Sequence, residues 1–102
     1  ARWLHTSGVV PNRPDGSTPG DLGEQADVVW GNIAAMLSAA GMRAADIVSV
    51  TTYVVAGEPL APVMAARDRF LGGRRVASTL VTVPALAQPA WRVEVAVVAA
   101  AS

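Results

Sequence analysis

The chain predicts a two-layer α+β domain, a mixed β-sheet with two helices packed on one face. Three observations carry that expectation. A length of 102 residues suits one domain, spanning 1–102. The apolar patterning gives the order strand, helix, strand, helix, strand, strand, with a possible extra short strand after the first. Two helices do not easily cover both faces of a sheet, so they share one.

Each element has its own grounds. Trp3, His5 and Ser7 alternate with Leu4 and Thr6, which predicts a short strand up to Ser7-Gly8, with Val9-Val10 continuing it after a bend. Pro11 to Gly20 is rich in proline and glycine, and Asp15-Gly16 is a good tight-turn pair. Asp21 with Glu24 three residues on makes a capping-box pattern. Ala26, Val29, Trp30, Ile33, Met36, Leu37 and Ala40 then form one apolar stripe, and Gly41 suits a left-handed helix stop, so residues 21–40 read as helix. Ile47–Val55 is β-branched nearly throughout and reads as a central strand. A second helix starts between Pro59 and Pro62, carries Leu60, Val63, Met64, Phe70 and Leu71 on its apolar side, and stops at Gly72-Gly73. From Val76 to Ala100, two β-branched arms flank the loop Pro84–Ala90 and read as a pair of partnered strands.

Composition narrows the function classes. Hydrophobic residues make up 52% and charged residues 16%, too apolar for disorder and lightly charged for a small monomer's surface. Some apolar surface is therefore expected in a subunit interface. Eight basic and eight acidic residues cancel, so no broad field attracts nucleic acid or an anionic membrane. With no cysteine there is no disulfide, thiolate metal site or cysteine nucleophile, which fits a cytoplasmic location. No apolar run is long enough to span a bilayer. The chain opens without Met and abruptly within a strand, so residues are expected to be missing from that end.

Strand parity sharpens the interface argument. Trp91, Val93, Val95, Val97 and Ala99 point one way and suit the helix-covered face. Arg92, Glu94, Ala96, Val98 and Ala100 point the other way, where no helix remains to cover them. Exposed apolar surface costs about 25 cal/mol per Å², so sheet-to-sheet contact between subunits is favoured. Glu94 then falls at a subunit boundary.

The whole chain resembles the Rid family of reactive-intermediate deaminases, also called YjgF or L-PSP. The resemblance is carried by Thr6-Ser7-Gly8 with Pro11, by Gln25 to Gly41 with Asn32, and by Ile47-Val48 to Thr52-Tyr53-Val54. Ser78-Thr79 with Val81 and Val83, and Val93-Glu94-Val95, complete it. It implies a bacterial chorismate mutase-like fold, a homotrimer with a central β-barrel, and small-molecule clefts between subunits. It also implies hydrolysis of imines and enamines to keto acids and ammonia without metal or organic cofactor. Glu94 matches the family's cleft acid, which positions a water or relays a proton. Ser7 and Gly8 match cleft-lining residues, and Thr79 falls where many members carry Cys. Ala77 stands where archetypal members carry a substrate-carboxylate Arg, and Met64 where they often carry Asn. A cleft Tyr from an N-terminal segment has no counterpart here.

Glu94 is the candidate catalytic residue, as a general acid/base or water-orienting carboxylate. An ion pair with Arg92 or a neighbouring subunit's arginine would account for it equally well. Ser7, Gly8, Ala77 and Thr79 are candidate substrate-binding positions. Arg75 shares parity with Ala77, about 7 Å along a strand, and would recruit an anionic ligand toward the missing clamp; a solvated loop arginine is the plainer alternative. Ser7 and His5 share a strand face but make no triad. One His makes no metal site, and Asp15, Asp21 and Glu24 read as turn and cap residues, so no metal is expected. Gly72-Gly73-Arg74-Arg75 follows a helix and precedes a strand, the reverse of a phosphate loop. A non-catalytic trimeric small-molecule-binding or structural module is the alternative reading. Ribonuclease activity is disfavoured by the neutral charge.

Overall fold

The computed structural model describes residues 1–102. The chain runs β1 (Arg2–His5), α1 (Leu22–Ala39), β2 (Ile47–Val55), α2 (Ala61–Leu71), β3 (Ala77–Val83) and β4 (Val93–Ala101), with a short 3₁₀ turn at Ala44–Asp46 before β2. The four strands form one mixed sheet in the order β1-β4-β2-β3. β4 is antiparallel to both neighbours, and β2 and β3 are parallel.

This topology corrects the expected pairing of the last two strands, because β2 lies between them. The β2–α2–β3 unit is a crossover connection, which sets β3 parallel beside β2. The linker that follows holds two prolines and is too long for a tight hairpin, so it carries the chain past β2 to its far side.

Both helices lie on one face, as the element order requires. Every buried strand residue is on that side: Ile47, Val50, Thr52 and Val54 of β2, and Val93, Val95, Val97 and Ala99 of β4. The parity expected for the last strand therefore holds. On the helix side Ala26, Val29, Trp30, Ile33 and Leu37 of α1 meet Val63, Ala66 and Leu71 of α2 in one core. Trp30 stacks on Phe70 with ring centroids 4.8 Å apart. The shortest dimension of the molecule, 21 Å, is that of one helix layer on one sheet.

Element ends follow the local chemistry. The Asp21 side chain accepts the Glu24 N–H at 3.0 Å and caps α1. The Glu24 carboxylate lies 3.7 Å from Arg13, so the capping box is half made. Gly41 closes the helix with φ 69°. α2 begins at Ala61 with Pro62 in its first turn. Leu60 is thereby outside the helix and 41% exposed, and Met36 lies at the edge of its stripe, 40% exposed. β2 bulges at Val48, where the register to β4 slips between Ile47 and Ser49.

Candidate functional site

The open face of the sheet carries most of the residues singled out in the sequence, and a bulge just beyond β1 brings Gly8 against Glu94. Thr6 N–H donates to Val97 O at 3.1 Å, and Val97 N–H donates to the Thr6 hydroxyl at 3.0 Å. Beyond a short gap, Val9 and Val95 exchange both backbone bonds at 2.7 and 3.0 Å. Ser7 and Gly8 thus oppose the single residue Ala96, which is a β-bulge. Val9 continuing the strand after a bend agrees with the sequence reading.

The bulge turns Gly8 toward Glu94, the next open-face residue of β4 after Ala96. A Cβ on Gly8 would lie 1.9 Å from Glu94 Oε2 and 2.6 Å from its Cδ. Gly8 is not among the positive-φ glycines, so it is needed for space rather than for backbone freedom. The Glu94 carboxylate is half-buried and forms no hydrogen bond or ion pair. Arg92, the intrachain partner weighed from the sequence, instead donates to Glu58 at 3.2 Å and to Gly20 O.

Two amides on α1 hold this geometry from behind. Asn32 Nδ2 donates to Asn12 O at 2.8 Å and Val10 O at 3.3 Å, pinning the segment just after Gly8. Gln25, two turns earlier on the same face of the helix, is 1% exposed. Its Nε2 donates to Ala90 O at 2.8 Å and Pro19 O at 2.9 Å, and its Oε1 accepts the Arg92 N–H at 3.0 Å. Both ends of the Gly8–Glu94 contact are thereby tied to one helix. Sequence reasoning gave neither amide a positioning role; a polar residue at stripe spacing within an apolar helix was the available signal.

The remaining candidates lie elsewhere. The register aligns Glu94 with Tyr53 and Val81, Ala96 with Thr51 and Thr79, and Val98 with Ser49 and Ala77. Ala77 and Thr79 therefore share the open face with Glu94 but sit on the opposite edge strand, two strand spacings or about 10 Å from β4. Arg75 precedes β3 and lines a pocket with Arg67 and Ser78 on the helix-covered side. His5 is exposed and tilts against Trp3, centroids 6.4 Å apart. No cluster of three or more His, Cys, Asp or Glu side chains has metal-ligand spacing. Asp15 caps the 11–20 loop: its Oδ1 accepts the Ser17 hydroxyl at 2.7 Å and the Ser17 N–H at 2.9 Å, which together hold its carboxyl below the ordinary value.

Comparison with known proteins places this geometry in a wider setting. The family model described as Endoribonuclease L-PSP matches residues 1–101. A RutC family protein of Haemophilus influenzae is 39% identical over 66 residues, 64% of this chain and 51% of that protein. The chain thus spans about half the length of that curated relative. Among solved structures, the Rid-family protein YyfB of unknown function from Yersinia pestis is 33% identical, with a TM-score of 0.87, over 97% of this chain and 78% of that one. E. coli TdcF with bound serine is 25% identical, with a TM-score of 0.90, over 98% and 81% respectively.

Proposed function

This chain belongs to the Rid/YjgF family, the family described as Endoribonuclease L-PSP, and we propose that it hydrolyses a small imine or enamine in a cleft between subunits. The observation that carries this reading is the unpaired Glu94 carboxylate, which lies against Gly8 in the space a side chain there would fill. A carboxylate with no cation to neutralise it is free to accept a proton from water. The amino acid bound to TdcF supports a ligand of similar size and chemistry.

Water is the only co-reactant the step consumes. Water oxygen adds to the imine carbon while Glu94 takes one water proton. The imine nitrogen then receives that proton from Glu94, giving a carbinolamine. Glu94 takes the hydroxyl proton and passes it to the amine nitrogen as the C=O bond forms and the C–N bond breaks, releasing ammonia. An enamine enters the same route after protonation at carbon.

A site using both Glu94 and Thr79 draws them from two chains, since each chain separates them across the sheet. The exposed open face, with Trp3 62% exposed at its edge, supports such packing as a homotrimer. Ala77 favours a second reading, a trimeric binder without catalysis, because methyl replaces the guanidinium that would clamp a carboxylate. The two are separated by following imine loss from 2-iminopropionate generated in solution. We expect turnover by the wild type and a fall of about 10²-fold or more in Glu94→Ala. No turnover by the wild type would favour the binder.

A further inference from the structure

We infer that the pocket between the end of α2 and the start of β3 is a phosphate-binding site, on the sheet face opposite Glu94. Its volume is about 450 Å³, within the range of small-metabolite sites. All eight basic residues of the chain are arginines, and three of them, Arg67, Arg74 and Arg75, converge there. The chain as a whole has a net charge of zero, so this is a local concentration of positive charge.

The three arginines are held differently. Arg74 is spent on structure, donating to Ala44 O at 2.8 Å and Ile47 O at 3.5 Å. Arg67 is pre-set: its Nη1 donates to the Ser78 hydroxyl at 3.3 Å, while Nε and Nη2 donate to Asp68 Oδ1 at 3.1 and 2.9 Å. Its side chain is only 20% exposed, so its direction is fixed by packing. Arg75 makes no hydrogen bond or ion pair, leaving five N–H donors for a ligand.

Two features oppose an anion here, the Asp68 carboxylate and the negative end of the α2 dipole. Asp68 is already neutralised by Arg67. The last-turn carbonyls of Asp68, Arg69 and Leu71 accept the N–H groups of Gly73, Gly72 and Arg74. The free Arg75 fork, the N–H groups of Arg67 not spent on Asp68 and Ser78, and the Ser78 hydroxyl suit the several oxygens of a tetrahedral phosphate better than a planar carboxylate with two. Leu71 and Val76 supply an apolar wall for the body of a phosphate monoester.

Titration of the full chain with inorganic phosphate and with glycerol 3-phosphate at low ionic strength, followed by amide chemical shifts, tests this. Saturable shifts at residues 67–78 are expected, weaker by about tenfold in Arg75→Ala and in Arg67→Lys, which keeps charge but loses the fork. Glu94→Ala should leave the affinity unchanged, which separates this site from the cleft and from the outcome of the imine assay. Acetate should bind at least about tenfold more weakly than phosphate. Absence of saturable shifts, affinity indifferent to Arg75→Ala, or equal binding of acetate would overturn the assignment.

Discussion

Gly8 and Glu94 compete for one volume, and the physical consequence is testable one methyl at a time. The atoms that a Gly8 Cβ would strike are the far end of a flexible side chain. Gly8→Ala should therefore cost little stability, within about 0.5 kcal/mol by thermal melt, because the carboxylate can swing aside. Imine turnover should fall with it, since the carboxylate no longer points where it did. Loss of stability with activity retained would show that Gly8 serves packing alone. Asp15 offers a second residue-scale check. Its pKa is lowered by the Ser17 hydroxyl first and the Ser17 N–H second. Because the folded value lies below the unfolded one, the loop's stabilisation is present above the unfolded pKa and is lost as pH falls through the folded one. Ser17→Ala should raise the Asp15 pKa toward the ordinary carboxylate range in an NMR titration.

α1 is the element that ties both ends of the site together, through Asn32 and Gln25. Gln25 bridges Pro19, Ala90 and Arg92, so Gln25→Leu leaves an N–H and two carbonyls without their partner. We expect a loss of about 2 kcal/mol or more, a fall in Tm of about 10 °C for a chain of this size. Asp21→Ala removes only the cap and should cost about 1 kcal/mol. A Gln25→Leu variant that melts like the wild type would mean that water replaces the amide without penalty. The helix itself was legible in the sequence, from Asp21 to Gly41, because cap, stripe and stop agree locally. The amides' roles were not, because their partners are 6 to 67 residues away along the chain. Likewise the bulge at Ser7-Gly8 exists only by pairing with Val95 and Val97, which no local pattern encodes.

At the scale of the whole molecule, the helix-covered face is saturated and the open face is not. Trp3, Tyr53, Val81, Ala96 and Val98 share the uncovered side. Sedimentation should give a mass about three times 10.5 kDa. Val98→Glu should yield monomers, because a charge in a packed sheet interface is costly to desolvate. A monomeric wild type at micromolar concentration would remove the basis for an intersubunit cleft.

Element types, the two-layer class, the inward parity of the last strand and the identity of the odd carboxylate are all readable from the residues alone. These depend on periodicity, caps and β-branching, all set within a few residues. Strand adjacency emerges from the folded chain and not from any one segment: β2 lies between β3 and β4, with Ala77 and Thr79 set apart from Glu94. The fold likewise pairs Arg92 with Glu58, leaving Glu94 without an intrachain cation, and turns Arg75 to the helix side beside Arg67. Strand order and side-chain partnership are long-range choices, fixed by which core packs best, and a strand's own residues read the same beside either neighbour.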